Sequence, residues 1–397
     1  MLDFNFSEDQ EILRETAREF AKMVIAKNIP KMMSERRIPA EVFQGLAKMN
    51  FLGMNISEEY GGMNADAVTT GIVAEEIARA DPTASIPVLF LVDNAWSYLI
   101  SKYGSEDLKK DLLPKVVKGE AIVGIASTEP NFGSDIGSMT SRAVRNGDAY
   151  TLNGEKSYIS LVRDIKERTG GYVTVVKTDM QKGTKGVTLF YLPYEEDKFD
   201  LTDLHEMGRE GSSWGAFKFH DVNLGEKYII GKENGGFKII HEGFEFARAL
   251  IAVISAGSAM KALENGSNYL KTRKAFGSEL AKFQGLQFQL ADNVARMEAA
   301  RMMGYKALWT YDQEQRFHRI SRFQVSKEVA IAKLISTTWA FDTINDALQW
   351  QGAFGYSKDC PEEWALRGIR SFQLAEGSRE IMKVIIARET LGKEFIK

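Results

Sequence analysis

Near the C-terminus an apolar stretch is broken by Gln373-Leu-Ala-Glu376-Gly377-Ser378, the segment best equipped for chemistry. Glycine after a carboxylate leaves the backbone uncovered, so a flat ligand can approach closely. Ser378 then reads as the cap of a helix with Ile381, Val384 and Ile385 inward. Glu376 could move a proton there; it could equally be a charge on a helix-capping turn. Asp93 is a second candidate. It follows Val88-Leu-Phe-Leu-Val92, and an acid in so apolar a run is uncommon unless paired or functional. Thr128-Glu-Pro-Asn-Phe-Gly-Ser134-Asp135 offers free N–H groups and hydroxyls suited to a flavin edge or a phosphate, although taken alone a surface turn explains it better. In isolation, Leu152 to Ser160 is a hairpin entering a strand, and Arg273-Lys-Ala-Phe276-Gly277 with Phe283-Gln284 is a basic helix end. Gln349-Trp-Gln-Gly352 likewise reads as a glycine-rich helix end.

The elements that must position these residues change along the chain. Ser7-Glu-Asp-Gln10 has capping-box form, and Leu13, Ala17, Phe20, Ala21 and Val24 keep helical spacing until Pro30, which is expected to end the run. Helices over 40–49, 67–79 and 105–118 follow, giving an N-terminal helical domain over 1–120. Short β-rich runs at 121–125, 172–176, 187–192 and 216–219, separated by turns such as Arg145-Asn-Gly-Asp148, define a middle β domain over 121–231. Their strands are too short, and the intervening helices too few, for a doubly wound sheet. From 232 to 397 the pattern is helical again, with amphipathic stretches over 246–275, 286–297, 325–335 and 380–390 that predict a four-helix bundle. The fold class is therefore α+β, mainly α.

Composition narrows the function. The 51 basic and 54 acidic residues leave a net charge of −3, which argues against a broad nucleic-acid footprint. No uncharged apolar run reaches membrane-spanning length, and the N-terminus lacks the basic and apolar regions of a signal peptide. Cys360 is the only cysteine and the four histidines show no i, i+4 pair, so neither a disulfide framework nor a metal site is expected. The expectation is a cytoplasmic protein in a reducing compartment.

Taken in order and spacing, these segments resemble the acyl-CoA dehydrogenase family across nearly the whole chain. The likeness runs from Phe4-Asn-Phe-Ser-Glu-Asp-Gln10 through Glu58-Glu-Tyr-Gly-Gly62, Thr128 to Asp135, Phe219-His-Asp-Val222, Asn234-Gly-Gly-Phe237 and Glu376-Gly-Ser378 to Ile386-Ala-Arg388. It implies FAD bound between the β domain and the bundle of a homotetramer, with flavin sites shared across subunits. It also implies an acyl-CoA thioester substrate and electrons passed to an electron-transferring flavoprotein. Glu376 matches the base that removes the α-proton while the β-hydrogen leaves as hydride to flavin N5. Thr128, Tyr158 and Ser160 match residues beside the flavin ring, and Ser134 a position near the CoA moiety. Arg273, Phe276 and Gln284 match residues reaching the FAD of a neighbouring subunit. Gln349 and Gly352 match the adenosine-side loop, and Ser378 a hydroxyl touching the cofactor. Glu245 and Arg248 match an acid and arginine holding the CoA arm; a solvated helix face is the other reading.

The chain also departs from the family pattern. Gly208-Arg-Glu210-Gly-Ser212 stands where many members have Gly-x-Arg-Gly-Ser, and Arg367-Gly368 replaces a common Arg-Asp pair. The usual Asn-Gly after the Tyr158 strand becomes Leu161 to Arg168. Ala375 is small where straight-chain enzymes often carry tyrosine, and Asp93 falls in the segment that lines the acyl cavity. As a cap with Asn94 the acid would be structural; as a polar contact or second base it would favour a ring-bearing or branched acyl group. The reverse reaction, enoyl-CoA reduction with the same partner, and a non-catalytic flavoprotein docking or assembly factor are the competing readings. An oxidase is disfavoured, because the chain lacks the additional C-terminal domain common in that branch.

Overall fold

The computed structural model describes residues 4–395. The chain begins with α1 (Glu8–Phe20), whose cap has Ser7 Oγ accepting from the Gln10 N–H while the Gln10 side chain accepts from the Ser7 N–H. Pro30 does not end this run. A π-helical turn over Ala21–Ile25 leads into α2 (Ala26–Glu35), which carries Pro30 inside it. The wider turn resets the backbone phase just ahead of the proline, and the Asn28 amide donates to the Val24 carbonyl at 2.9 Å. Next come α3 (Ala40–Lys48), α4 (Ala67–Ala80), α5 (Ser85–Tyr103) and α6 (Glu106–Val117). Asp93 and Asn94 lie in the middle of α5, so neither caps a helix end.

Eight strands then form one sheet. They are β1 (Val123–Ala126), β2 (Arg142–Asn146), β3 (Ala149–Ser160), β4 (Gly171–Lys177), β5 (Val187–Pro193), β6 (Phe199–Asp203), β7 (Trp214–Gly225) and β8 (Ile229–Ile230). Their order is β6-β7-β3-β2-β4-β5-β8, with β1 parallel to β4. The short helix α7 (Val162–Glu167) occupies the segment after β3. Alternation buries one face of β7 through Phe217, Phe219 and Val222, while β4 is buried along its whole length.

The C-terminal part is built on α8 (Gly236–Thr272), which starts ten residues before the sequence pattern suggests. By length and composition α8 could cross a bilayer, but 89% of its most apolar stretch is buried against neighbouring elements. A small hairpin of β9 (Lys274–Ala275) and β10 (Ser278–Glu279) leads to α9 (Gln284–Gln315) and α10 (Arg322–Trp350). A further short helix, α11 (Pro361–Arg370), precedes α12 (Arg379–Leu391); α8, α9, α10 and α12 are the four long helices the sequence pattern predicts for the bundle. The pattern of α12 is also corrected. Met382 and Ile385 are its buried positions, packing on Ala330 of α10, whereas Val384 is exposed.

Candidate active site

The loop between α11 and α12 makes the site. After a 3-10 turn at Ser371–Gln373, Glu376 takes φ 57° and Gly377 φ 103°, two consecutive left-handed residues. For glutamate that conformation costs about 1–2 kcal/mol, so neighbouring groups must hold it. Lys333, fully buried on α10, donates to the Ala375 carbonyl at 2.6 Å and also to that of Gly377. Arg248 of α8 donates through Nε to the Glu376 carbonyl at 2.6 Å. Gly377 is required here: a Cβ would stand 3.0 Å from the Met382 methyl and 3.3 Å from Arg248 Nη2. Ser378 caps α12 by accepting from the Ile381 N–H at 3.4 Å. The Glu376 N–H has no acceptor among the described residues.

Crowded by protein yet still in partial contact with solvent, the Glu376 carboxyl is pushed up to about 7 by burial, against the pull of Arg248 and Lys333. Burial, with repulsion from Arg248, pushes Lys333 down to about 7. The solvated-face reading of Glu245 and Arg248 fails, since both are buried on α8. Burial raises the Glu245 pKa even though the Ser326 hydroxyl donates to its carboxyl and Arg322 lies 3.7 Å away.

A second wall comes from the sheet. Thr128 follows β1, and its carbonyl accepts from the Ser157 N–H at 3.0 Å. Beneath it, Lys156 is fully buried and donates to Glu129 at 3.0 Å and to the Val175 carbonyl at 2.8 Å. Glu129 in turn accepts from Thr140 and Ser141, fixing both ends of the 129–141 loop. Burial opposes its charge, but Lys156 and these donors hold the Glu129 carboxyl down at about 2. An irregularity in the β3–β7 pairing falls between Lys156 and Ile159, and there Tyr158 takes φ 62° with its ring exposed, 5.5 Å from that of Trp214. Ser160 ends β3.

Two departures from the family pattern meet in space. Glu210 pairs with Arg367, which also donates to the Met207 carbonyl at 2.9 Å. Gly208 lies against the Arg367 backbone, where a Cβ would sit 2.6 Å from the carbonyl carbon; one at Gly368 would sit 2.5 Å from the Thr83 carbonyl oxygen. An acid at 368 has no room, and the carboxylate that pairs with Arg367 here is Glu210 of the β domain. The third departure, α7, is tied to the same loop: Asp164 accepts from the Ser213 hydroxyl at 2.6 Å.

Asp93 is enclosed and accepts from the Gly53 N–H at 3.2 Å, with Val123 the other main-chain contact; burial pushes its pKa up to about 7. Its neighbour Asn94 accepts from the Met54 N–H at 2.7 Å. Both side chains staple the 51–54 segment to α5. Ala375, half-buried, adjoins the base. Ser134, Arg273, Phe276, Gln284, Gln349 and Gly352 are all exposed, with Phe276 96% so. Arg273 follows the end of α8, about 36 Å along the helix axis from Arg248. One chain therefore does not bring it to Glu376. Glu129 and Lys156 lie inside the Thr128–Asp135 and Leu152–Ser160 segments but are not singled out there, and Lys333 lies in no motif; its available signal is a charge within apolar helical spacing. Among the described residues no cluster of His, Cys, Asp or Glu could hold a metal.

Profiles of the acyl-CoA dehydrogenase N-terminal, middle and C-terminal domains match residues 7–120, 124–222 and 234–391. The short-chain-specific acyl-CoA dehydrogenase of Clostridium acetobutylicum is 31% identical over 99% of this chain and 100% of its own length. The CarC subunit of the caffeyl-CoA reductase–Etf complex of Acetobacterium woodii is 30% identical over 98% and 100%. The solved structure of butyryl-CoA dehydrogenase from Megasphaera elsdenii superposes with a TM-score of 0.90 at 28% identity, covering 98% of this chain and 100% of that one. The chain belongs to the acyl-CoA dehydrogenase family of FAD-dependent oxidoreductases.

Proposed function

We propose that this protein removes the α-proton and the β-hydride of an acyl-CoA thioester, with Glu376 as the base, and passes the electrons to an electron-transferring flavoprotein. The observation that carries this reading is the Glu376 turn, a carboxyl pushed to about 7 on a left-handed backbone whose N–H is free. A base near the working pH combines an ionised population with affinity for a proton. As the proton leaves, negative charge grows on the thioester oxygen, and the free Glu376 N–H suits that charge. Arg248 and Lys333 hold the turn through its carbonyls, which leaves the amide and carboxyl sides to the substrate.

FAD, when bound, supplies the hydride acceptor. The residues present fit it: Thr128, Tyr158 and Ser160 form a wall with an exposed aromatic ring, and Arg209 behind it is buried with its Nε unpartnered. The exposed Arg273, Phe276 and Gln284, remote from Glu376 along α8, fit a site completed by a second copy, and the assembly proposed is a homotetramer. The space left by Ala375 supports a branched or ring-bearing acyl group. Likeness to a caffeyl-CoA reductase subunit favours one second reading, enoyl-CoA reduction over the same residues in reverse.

The test is an anaerobic titration of the FAD-loaded protein with short, branched, dicarboxylic and cyclic acyl-CoA thioesters. Bleaching of the flavin by one class names the substrate. Glu376→Gln should retain FAD and lose turnover by about 10²–10⁴-fold. Retained turnover removes Glu376 from its role. Bleaching by none of the thioesters, with oxidation of the reduced flavin by enoyl-CoA, supports the reverse direction.

A further inference from the structure

Arg209 stands in a left-handed conformation, φ 70°, in the loop before β7. Its side chain is 8% exposed, and Nε has no hydrogen-bond partner. No carboxylate among the described residues forms an ion pair with it. The nearest acidic influence is Glu206, and that side chain is paired with Arg36 at 2.8 Å. Burial pushes the Arg209 pKa down to about 10, which still leaves a full positive charge at neutral pH. Among the described residues its one side-chain hydrogen bond runs from Nη1 to the Ser160 hydroxyl at 3.4 Å. A buried guanidinium without a counter-charge is costly and persists only where something electron-rich completes it.

The backbone explains why the charge is available. Glu210, the next residue, takes Arg367, so the loop's two charges are divided: one spans to α11 and the other turns inward behind Ser160. Gly211 anchors that turn by donating to the Ser85 hydroxyl at 3.1 Å.

We propose that Arg209 is a positioning residue for the flavin. Its guanidinium backs Ser160 at the ring edge and favours the electron-rich reduced ring over the oxidised one. This rests on FAD occupying the wall formed by Thr128, Tyr158 and Ser160. Two-electron reduction raises the electron density of the ring, and a fixed cation beside it in a site sheltered from water stabilises that form selectively. Arg209 therefore sets how readily the flavin accepts electrons, separately from the proton transfer at Glu376.

The experiment is an anaerobic dye-equilibrium titration of FAD-loaded protein without substrate, comparing wild type with Arg209→Gln, Arg209→Met and Arg209→Lys. FAD content is measured first. Wild type that binds no FAD refutes the cofactor site itself; a site that binds FAD leaves the proposal to the potentials. The uncharged variants should bind reduced FAD about tenfold less tightly relative to oxidised FAD, the scale of one charge-assisted contact. For a two-electron couple that is a fall of about 30 mV. Arg209→Lys, which keeps the charge, should stay near the wild-type potential. Using both Gln and Met keeps the comparison open if one replacement does not fold. A wild-type potential in either flavin-saturated uncharged variant overturns the proposal. So does a fall in Arg209→Lys as large as in the uncharged variants.

Discussion

Lys333→Met asks directly what holds the catalytic turn. Methionine preserves most of the buried stem and removes only the ammonium that bonds the Ala375 and Gly377 carbonyls. Each hydrogen bond to a charged group is worth about 1.5–3 kcal/mol, and the carbonyls left behind are sheltered from water. Release of a buried ammonium offsets part of that loss. The net expectation is about 2–4 kcal/mol, comparable with the cost of holding Glu376 left-handed. A second readout separates this from simple destabilisation. Lys333 draws the Glu376 pKa down, so its removal should move the acidic limb of kcat/KM, expected near pH 7, to higher pH. The assay is denaturant unfolding of FAD-saturated protein at fixed concentration, paired with a pH profile on the best acyl-CoA substrate. Wild-type stability with an unmoved limb would refute the argument.

Further outcomes follow from other buried charges. Asp93, raised by burial from its ordinary value to about 7, contributes stability that is fully present below about pH 4 and lost as pH rises through 7. Asp93→Asn removes that dependence, so its stability relative to wild type should improve by up to about 4 kcal/mol between pH 4 and 8. The same variant run across the acyl-CoA panel should keep its substrate order if the residue only staples the 51–54 segment. Lys156→Met strands the Glu129 carboxylate and should cost about 3–5 kcal/mol, with loss of FAD; adding Glu129→Gln should recover part of both in melting and flavin-content assays. A double-mutant cycle of Glu210→Gln and Arg367→Gln should give a coupling of about 1–2 kcal/mol in unfolding experiments. For wild type, dehydrogenation should rise with pH through about 7 as Glu376 ionises.

Much of this was readable in the chain because local rules and tertiary needs agree. Ser7 and Ser378 cap the helices their positions predict. Apolar β-rich runs and turn residues located β1, β3, β4, β5 and β7 but not β2, β6 or β8, and the order of motifs gave the family. What stayed hidden depends on contacts made far along the chain. Pro30 is tolerated because of a preceding π-helical turn, which no propensity forecasts. Val384 keeps helical spacing but faces outward, since α12 packs on α10 through Met382 and Ile385. Arg248 looks like a surface residue until Phe244 packs beneath its guanidinium and the Glu376 carbonyl accepts from it. Lys333 sits among apolar residues, and its partners lie more than forty positions away.

The Glu210–Arg367 pair has a consequence for how such a chain can change. Its members belong to different modules, 157 residues apart in sequence, and sit against glycines that leave no slack. Arginine at 210, the residue of the family pattern, would face Arg367, and aspartate at 368 would press its Cβ against the Thr83 carbonyl oxygen. Exchange of the β module alone would create the first conflict, and exchange of the bundle alone the second. The junction is inherited as a unit, and laboratory chimeras of this scaffold need their crossover points placed so that both halves travel together.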